Sequence, residues 1–212
     1  MAGNPNSGKS TLFNMLTGLR QKTGNFPGVT VDIHKGICVL PNKQKIEIID
    51  LPGTYSLFPK SIDEQVTTEV LSNKQNADYP DVTLMVADST NLKRSLYLCT
   101  QLIDTGLPVI LVLNMIDEAL KRTIVIEETK LSQMLGVPVV SVNSKQGEGI
   151  AKLKSVIANY EPKQGKPQLD ISKFSTLRWS ELKENINANS DFDAFVLYIN
   201  NLLDLNFKRT VS

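Results

Sequence analysis

The chain contains few of the residues that build metal centres and disulfide frameworks. Its 212 residues include one histidine and two cysteines, Cys38 and Cys99. Two thiols in a chain of this size predict a reducing compartment and no disulfide framework. With a single histidine beside them, they also argue against a transition-metal site.

An excess of charge and long apolar runs are missing as well. The 23 basic residues balance 22 acidic ones, so bulk electrostatics gives no reason to expect a nucleic acid or an anionic membrane as a partner. Apolar runs such as residues 107–113 are far shorter than the roughly 20 residues that span a bilayer. The sequence therefore predicts a fragment that is soluble by itself, and this prediction does not extend to the protein it belongs to.

The most informative stretch of the chain lies close to its start. It reads Gly3, Asn4, Pro5, Asn6, Ser7, Gly8, Lys9, Ser10 and Thr11. This fits the phosphate-binding pattern G-x-x-x-x-G-K-[ST], in which backbone N–H groups surround a phosphate. In that pattern Lys9 reaches the β- and γ-phosphates and the Ser10 hydroxyl binds Mg²⁺. A buried strand normally precedes such a loop. Because only Met1 and Ala2 stand before it, we expect that strand to be largely missing and the chain to be a fragment.

Short apolar runs alternate with helical patterns through the first three quarters of the chain. Strands are predicted at residues 37–40, 45–49, 82–87, 109–113 and 137–142, and helices near residues 63–72, 92–104, 127–135 and 149–160. The first two strands form a hairpin. The alternation that follows predicts an α/β fold with a doubly wound, mostly parallel sheet.

The rest of the chain has a different pattern. A linker at residues 161–167 precedes two more helical patterns, near residues 179–188 and 192–203. A chain of 212 residues can hold one full α/β domain and a small appendage. We therefore predict two domains, residues 1–160 and a partial helical domain at residues 161–212.

A D-x-x-G motif follows the second strand of the hairpin. It consists of Asp50, Leu51, Pro52 and Gly53. In such a motif the carboxylate holds a water of Mg²⁺, and the glycine N–H bonds the γ-phosphate. The next residue is Thr54, where Ras-like GTPases have a glutamine that orients water. We therefore expect hydrolysis to be slow, or to be assisted by another group.

An N-x-x-D motif, which runs from Asn114 through Met115 to Asp117, predicts that the base is guanine. Guanine presents two adjacent donors that one carboxylate can accept, whereas adenine would leave the carboxylate unpaired, and such a mismatch can cost a factor of about 10⁴. The alternative is that Asn114 and Asp117 only cap the following helix. Met115 replaces the usual lysine, so we expect weaker nucleotide retention and faster exchange.

Two further loops complete the predicted site. The first contains Asn143, Ser144 and Lys145, and the second contains Gly28, Val29 and Thr30. The first occupies the position of an S-A-K motif, whose middle residue donates its backbone N–H to guanine O6; an ordinary strand-to-helix turn is the alternative. Thr30 is predicted to be the switch I threonine, whose hydroxyl joins Mg²⁺ when the γ-phosphate is present.

Taken together, the motifs resemble the N-terminal G domain of ferrous iron transport protein B. The resemblance is carried by residues 3–14, 24–31, 50–57 and 88–98 and by the methionine of N-x-x-D. It implies a P-loop NTPase with a Ras-like G domain, followed by a GDP-dissociation-inhibitor-like helical spacer. It also implies a GTP-hydrolysing domain on the cytoplasmic side of a bacterial inner-membrane Fe²⁺ transporter. The implied partners are GTP or GDP and the transporter's own membrane domain, and homo-oligomerisation is left open.

The resemblance further implies a monovalent cation. Asn6 would help hold K⁺ near the β- and γ-phosphates, with backbone carbonyls from residues 25–30. The cation would supply the charge that an arginine finger supplies elsewhere, which suits Thr54. The implied catalytic group is then Asn6, Lys9, Thr30 and Gly53. The alternative for Asn6 is a residue that only forms the turn.

Two other functions share these motifs. One is a regulatory module that senses GTP against GDP and gates a pore, with turnover too slow to drive pumping. The other is a soluble, potassium-activated GTPase of ribosome assembly or tRNA modification. A basic RNA-binding appendage would favour the latter, and the sequence after Pro167 has none.

Overall fold

The computed structural model of the chain describes residues 1–18, 21–26, 31–161 and 165. In chain order its strands and helices are β1 (Ala2–Gly3), α1 (Lys9–Thr17), β2 (Gln21–Asn25), β3 (Asp32–Val39), β4 (Lys45–Asp50), α2 (Ile62–Ser72), β5 (Thr83–Asp88), α3 (Leu92–Asp104), β6 (Val109–Asn114), α4 (Ile116–Lys121), α5 (Glu128–Leu135), β7 (Val139–Ser141) and α6 (Ile150–Ala158). The helices expected near 179–188 and 192–203 lie outside the described residues, so the second domain stays a prediction.

A parallel sheet forms the centre of the fold. Its strands lie in the order β1-β5-β6-β7, and each neighbouring pair is parallel. Every residue of β6 is buried, as are five of the six residues of β5. Strands covered on both faces have nearly continuous apolar sequences, which is why these two were predictable. The predicted α/β fold with a mostly parallel sheet is confirmed.

The second sheet is antiparallel, in the order β2-β3-β4. Strands β3 and β4 are the predicted hairpin. Strand β3 begins earlier than predicted, at Asp32, and pairs along its first half with β2. This sheet matters for the site because Asp50, the last residue of β4, pairs with His34 and stands at the edge where the parallel strands end.

Two residues of β1 connect the sheets and hold the start of the phosphate-binding loop. Ala2 and Gly3 pair with β5. On the other side, the N–H of Leu51 donates to Met1 O at 3.2 Å, and the N–H of Thr54 donates to Gly3 O at 3.1 Å. The strand before the loop is thus reduced to two residues, as predicted. Hydrogen bonds on both sides of it nevertheless fix the residue from which the loop leaves.

Helix α3 packs against the parallel sheet near the site. It buries Leu98, Cys99, Leu102 and Ile103 in the core between itself and the parallel sheet. Burying a side chain of this size contributes about 1.5–3 kcal/mol, so α3 is held firmly along most of its length. Within the described residues, no helix combines the length and the apolar character needed to cross a membrane.

Candidate functional site

The loop between β1 and α1 wraps around the amino-terminal end of α1. Gly8 precedes α1 with φ of 78°, and Asn6 has φ of 65°. A Cβ at Gly8 would overlap the side-chain amide of Asn114, so only glycine fits both the left-handed backbone and the space. The first N–H groups of a helix have no partner within the helix, and they form a site for anions.

Lys9, Ser10 and Asp50 meet at this end of α1. The ammonium group of Lys9 forms an ion pair with Asp50 Oδ1, and the Ser10 hydroxyl donates to Asp50 Oδ2 at 2.9 Å. Lys9 and Asp50 are both buried, and burying a charge is costly unless it is paired. Two motifs that lie about forty residues apart in the sequence therefore form one cluster of charged and hydroxyl groups.

The residues after Asp50 pack directly on the phosphate-binding loop. A Cβ at Gly53 would lie 3.0 Å from the backbone nitrogen of Pro5, so glycine permits the close approach. Thr54 is completely buried, and its hydroxyl donates to the backbone oxygen of Ser56 at 2.7 Å. Thr54, which stands where Ras-like GTPases have glutamine, therefore uses its hydroxyl for a hydrogen bond within its own loop. This hydroxyl is not available to orient a water molecule at the phosphate-binding loop.

Asn114 links the phosphate-binding loop to the loop after β7. Its side-chain nitrogen donates to Ser7 O at 2.9 Å, and its side-chain oxygen accepts the N–H of Ser144 at 3.1 Å. The side chain of Asn114 lies in the interior, with 1% of its surface exposed. The residue before α4 is Met115, and no side chain caps this helix. The amide of Asn114 therefore joins two loops instead of capping α4.

Met115 and Asp117 stand at the open side of this junction. Met115 has φ of 60°, and its Cε lies 3.4 Å from the position of a Cβ on Gly8. Asp117 lies in the first turn of α4 and is half-buried. Within the described part of the chain, no hydrogen bond reaches its carboxylate, so this acceptor is available to a ligand.

Several backbone N–H groups of the loop from Asn143 to Gly149 already have a hydrogen-bond acceptor. The N–H of Asn143 donates to Glu148 O, and those of Gln146 and Gly147 donate to Asn143 O. The N–H of Ser144 is held by Asn114. Among the described hydrogen bonds of this loop, none uses the N–H of Lys145. This differs from the sequence prediction, which assigned the donor to guanine O6 to the middle residue, Ser144.

Several buried polar atoms of these loops have no partner within the described residues. They are Asn4 Oδ1 and Ser7 Oγ in the phosphate-binding loop and Asn143 Nδ2 in the loop after β7. A buried polar atom without a partner is costly. Their position indicates that the two loops are built to surround a polar group.

Some predicted residues are not part of this described site. Gly28, Val29 and Thr30 lie outside the described residues, although the N–H of Phe26 donates to Val31 O at 2.9 Å and closes the loop that contains them. The described residues contain no group of three or more histidine, cysteine, aspartate or glutamate side chains placed to hold a metal ion. Cys99 belongs to the core, where burial raises the pKa of its thiol to about 12, so it is not a nucleophile.

Two residues that hold the loop after Gly53 were not found from the sequence. Gln101 of α3 accepts the N–H of Leu57 at 2.9 Å, and the guanidinium carbon of Arg94 lies 3.8 Å from the centre of the Tyr55 ring. No motif assigns either residue a role, although Arg94 lies within residues 88–98, which carry part of the family resemblance. Their roles depend on how α3 packs, and the only available signal is their spacing of seven residues, which places both on one helical face.

Comparison with known proteins identifies the family. The family model described as ferrous iron transport protein B matches residues 1–157. The chain belongs to this family. The Fe(2+) transporter FeoB of Leptospira biflexa is 46% identical over 162 residues, which is 76% of this chain and 23% of that protein. The Escherichia coli K12 transporter is 44% identical over 165 residues, again 76% of this chain and 21% of that protein. The chain thus spans less than a quarter of the length of these FeoB relatives.

Solved structures agree with this assignment. The cytosolic domain of T. maritima FeoB in its GMPPNP form has a TM-score of 0.78 at 35% identity, and covers 92% of this chain and 77% of its own. The cytosolic domain of L. pneumophila FeoB has a TM-score of 0.78 at 35% identity, with 92% and 83% covered. The T. maritima FeoB G domain has a TM-score of 0.67 at 42% identity, with 75% and 94% covered. The resemblance predicted from the sequence is confirmed.

Proposed function

We propose that the chain is the GTP-binding and GTP-hydrolysing domain of a FeoB ferrous iron transporter. The observation that carries this proposal is Asn114, which hydrogen-bonds the phosphate-binding loop and the loop after β7 at the same time. A nucleotide can then bridge the phosphate and base sites along one edge of the sheet. A related FeoB cytosolic domain is known in a GMPPNP form, which supports a triphosphate ligand.

For the phosphates, the proposed ligands are the residues of the loop from Gly3 to Thr11. Backbone N–H groups and Lys9 bind the anionic oxygens. Lys9 must then exchange its ion pair with Asp50 for one with phosphate. In the proposal, the N–H of Gly53 faces the γ-phosphate.

Magnesium is proposed to bind beside the phosphates. Ser10 and Thr30 would bind it directly and Asp50 through water. The hydroxyl of Ser10 and the carboxylate of Asp50 lie 2.9 Å apart, and oxygen donors of this kind suit Mg²⁺. The ion would neutralise the negative charge that the phosphates carry.

For the base, Asp117 is the proposed guanine reader. Its half-buried carboxylate accepts both donors of guanine, while Met115 packs against the ring. We assign the donor to guanine O6 to the N–H of Lys145, because that of Ser144 is already held by Asn114. Asn143 and Ser144 then act by shaping the loop.

Turnover is proposed to be slow and to depend on K⁺. Thr54 directs its hydroxyl to Ser56 O, so no glutamine-like side chain orients the attacking water. Asn6 is exposed at the tip of the phosphate-binding loop with φ of 65°. In this proposal its side chain would share a cation with the phosphates, and the proposed catalytic group remains Asn6, Lys9, Thr30 and Gly53.

The second predicted domain and the membrane partner belong to the same proposal. FeoB cytosolic-domain structures cover 92% of this chain, whereas the G-domain structure covers 75%. The difference supports a boundary near residue 160, with a helical domain after it. Because this chain spans only 23% of the L. biflexa transporter, we infer that a membrane domain elsewhere in the protein carries iron. We further infer that movement of the switch loops, at the cytoplasmic face of the inner membrane, drives or gates iron uptake through that domain. The family match and the relatives do not favour a soluble GTPase of ribosome assembly or tRNA modification.

Hydrolysis assays test the proposal. We expect GTP to be hydrolysed, ATP to be left intact, and the GTP rate to be higher in K⁺ than in Na⁺ at equal ionic strength. Asn6→Ala should abolish the difference between the two cations. The matched control is Asn42→Ala, an exposed turn asparagine of the β3–β4 hairpin, which should keep it. Equal rates in both salts for the wild type would contradict the role of K⁺, and equal rates with ATP would contradict the GTPase assignment.

A further inference from the structure

Helix α2 contributes one side chain to the D-x-x-G motif. The hydroxyl of Thr67, in the middle of α2, donates to the backbone oxygen of Pro52 at 2.8 Å, and Thr67 has none of its surface exposed. A threonine within a helix can bond back to a carbonyl of its own helix, as Thr17 does to Phe13 O at 2.8 Å. Thr67 instead uses its hydroxyl on a residue 15 positions earlier in the chain, so α2 holds the motif at that point.

Helix α2 is a fixed support for that hydroxyl. It buries Val66, Val70 and Leu71 in the core. At its start, the side chain of Ser61 accepts the N–H of Glu64 at 3.3 Å, which satisfies one of the N–H groups that a helix leaves unpaired there. Core packing and a capped end fix the helix, and the helix fixes the direction in which the hydroxyl donates.

The bond at Pro52 sets the direction of the next N–H in the chain. The described residues contain no cis peptide bond, and in a planar trans peptide the C=O and N–H groups point in opposite directions. Because the Pro52 oxygen points to α2, the N–H of Gly53 points away from α2. Among the described residues no hydrogen bond uses this N–H, and Gly53 keeps part of its surface exposed. The N–H is therefore a donor that a ligand can reach.

The neighbouring N–H groups are held from the other side, by the start of the chain. The N–H of Leu51 donates at 3.2 Å and that of Thr54 at 3.1 Å, both to backbone oxygens within residues 1–3. The peptide that precedes Gly53 has one hydrogen bond among the described residues, the one from Thr67. Without that hydroxyl the peptide can rotate between its two held neighbours, and a glycine permits the rotation.

We propose that Thr67 is a positioning residue for the triphosphate. Its hydroxyl fixes the peptide between Pro52 and Gly53 so that the N–H of Gly53 donates to the γ-phosphate. GDP has no γ-phosphate, so Thr67 raises the affinity for GTP relative to that for GDP. Thr67 does not contact the nucleotide in this role and acts through Gly53. The inference rests on the proposed function, because it needs a γ-phosphate at that N–H.

Replacing the hydroxyl by a methyl group tests this role. Thr67→Val keeps the shape of the side chain and removes its donor, whereas Thr67→Ser keeps the donor. We would measure the dissociation constants of GMPPNP and GDP by calorimetry for the wild type and both variants. Thr67→Val should weaken GMPPNP binding by about tenfold, the lower end for a hydrogen bond to a charged group, and leave GDP binding unchanged. Thr67→Ser should restore the wild-type ratio of the two constants.

The matched control is Thr68→Val. Thr68 is the next residue of α2 and is also buried, and its hydroxyl has no hydrogen-bond partner among the described residues. Its replacement should change neither dissociation constant. A loss of packing in α2 would weaken both nucleotides and would not depend on a hydroxyl. Equal weakening of GMPPNP and GDP by Thr67→Val would therefore overturn the proposal, and so would a Thr67→Ser variant that binds like Thr67→Val.

A second pair of variants guards against misfolding, which circular dichroism would reveal. If Thr67→Val does not fold, Thr67→Ser is compared with Thr67→Ala, because these two side chains differ only by the hydroxyl. The serine variant should then prefer GMPPNP over GDP about tenfold more than the alanine variant, and equal ratios would overturn the proposal. A wild-type chain that binds neither nucleotide contradicts the proposed function and the inference with it. A wild-type chain that binds both, with a ratio that no Thr67 variant changes, contradicts only the role of Thr67.

Discussion

Replacing Asn114 by alanine is predicted to destabilise the chain and weaken nucleotide binding together. The side chain is buried, with 1% of its surface exposed. It donates to Ser7 O at 2.9 Å and accepts the N–H of Ser144 at 3.1 Å. These partners lie 107 residues before and 30 residues after it in the sequence. Removing the amide disconnects the phosphate-binding loop from the loop after β7.

The size of the effect follows from the two groups that lose their partner. An unsatisfied buried donor or acceptor costs about 1–3 kcal/mol, so Asn114→Ala should lower the free energy of unfolding by about 2–5 kcal/mol when some water enters the cavity. A typical domain has about 5–15 kcal/mol of stability in total. The variant should therefore unfold at a clearly lower urea concentration.

Urea unfolding monitored by circular dichroism measures this change, with Asn159→Ala as the matched control. The amide of Asn159 also donates to a backbone oxygen, that of Ser155 at 2.9 Å, but it is exposed. Water replaces that bond, so the control should change the stability by less than about 0.5 kcal/mol. If Asn114→Ala costs no more than Asn159→Ala at equal m-values, the bridging role of Asn114 is wrong.

Three further predictions concern single residues. Gly8→Ala should destabilise the chain more than Gly18→Ala. Both positions have positive φ, which costs an alanine about 1–2 kcal/mol, but only Gly8 also lacks space for a Cβ. Equal urea midpoints for the two variants would contradict this prediction. Burial raises the pKa of Cys99 to about 12 and also raises that of Cys38, so neither should react with a thiol reagent at pH 8 until urea unfolds the chain. Thr54→Gln should cost about 1–3 kcal/mol by overpacking a buried position without raising the GTP turnover, and a faster rate would show that the position can orient water.

The sequence predicted the parallel sheet well because burial on both faces leaves a clear pattern. Strand β6 is apolar from Val109 to Leu113, and α3 has the bounds that were predicted from its 92–104 pattern. Strand β2 was not predicted. Its sequence, Gln21–Asn25, is polar and contains a glycine, so it has low intrinsic β-propensity. Its strand conformation comes from pairing with β3, which a local pattern does not reveal.

The site was predictable as a set of motifs but not as a set of contacts. The motif around Asn114 indicated a base-binding loop, yet not that its amide would reach Ser7. The role of Ser144 depends on the turn closed by Asn143 and Glu148, whose register the sequence leaves open. Gln101 acts through helix packing, which no motif encodes. Short motifs report residue types at fixed spacing, whereas these roles depend on which loops the fold brings together.

The central claim is that this chain binds guanine nucleotides through Asp117. The affinity of an Asp117 variant for two nucleotides tests it most directly. Dissociation constants of GTP and xanthosine triphosphate would be measured by calorimetry for the wild type, for Asp117→Asn, and for Glu118→Gln, which removes the same charge one residue later. We predict that Asp117→Asn weakens GTP binding by about 100-fold or more and gains affinity for xanthosine triphosphate, since its amide donates where the carboxylate accepted. Glu118→Gln should change neither constant. A GTP affinity unchanged by Asp117→Asn would contradict the account.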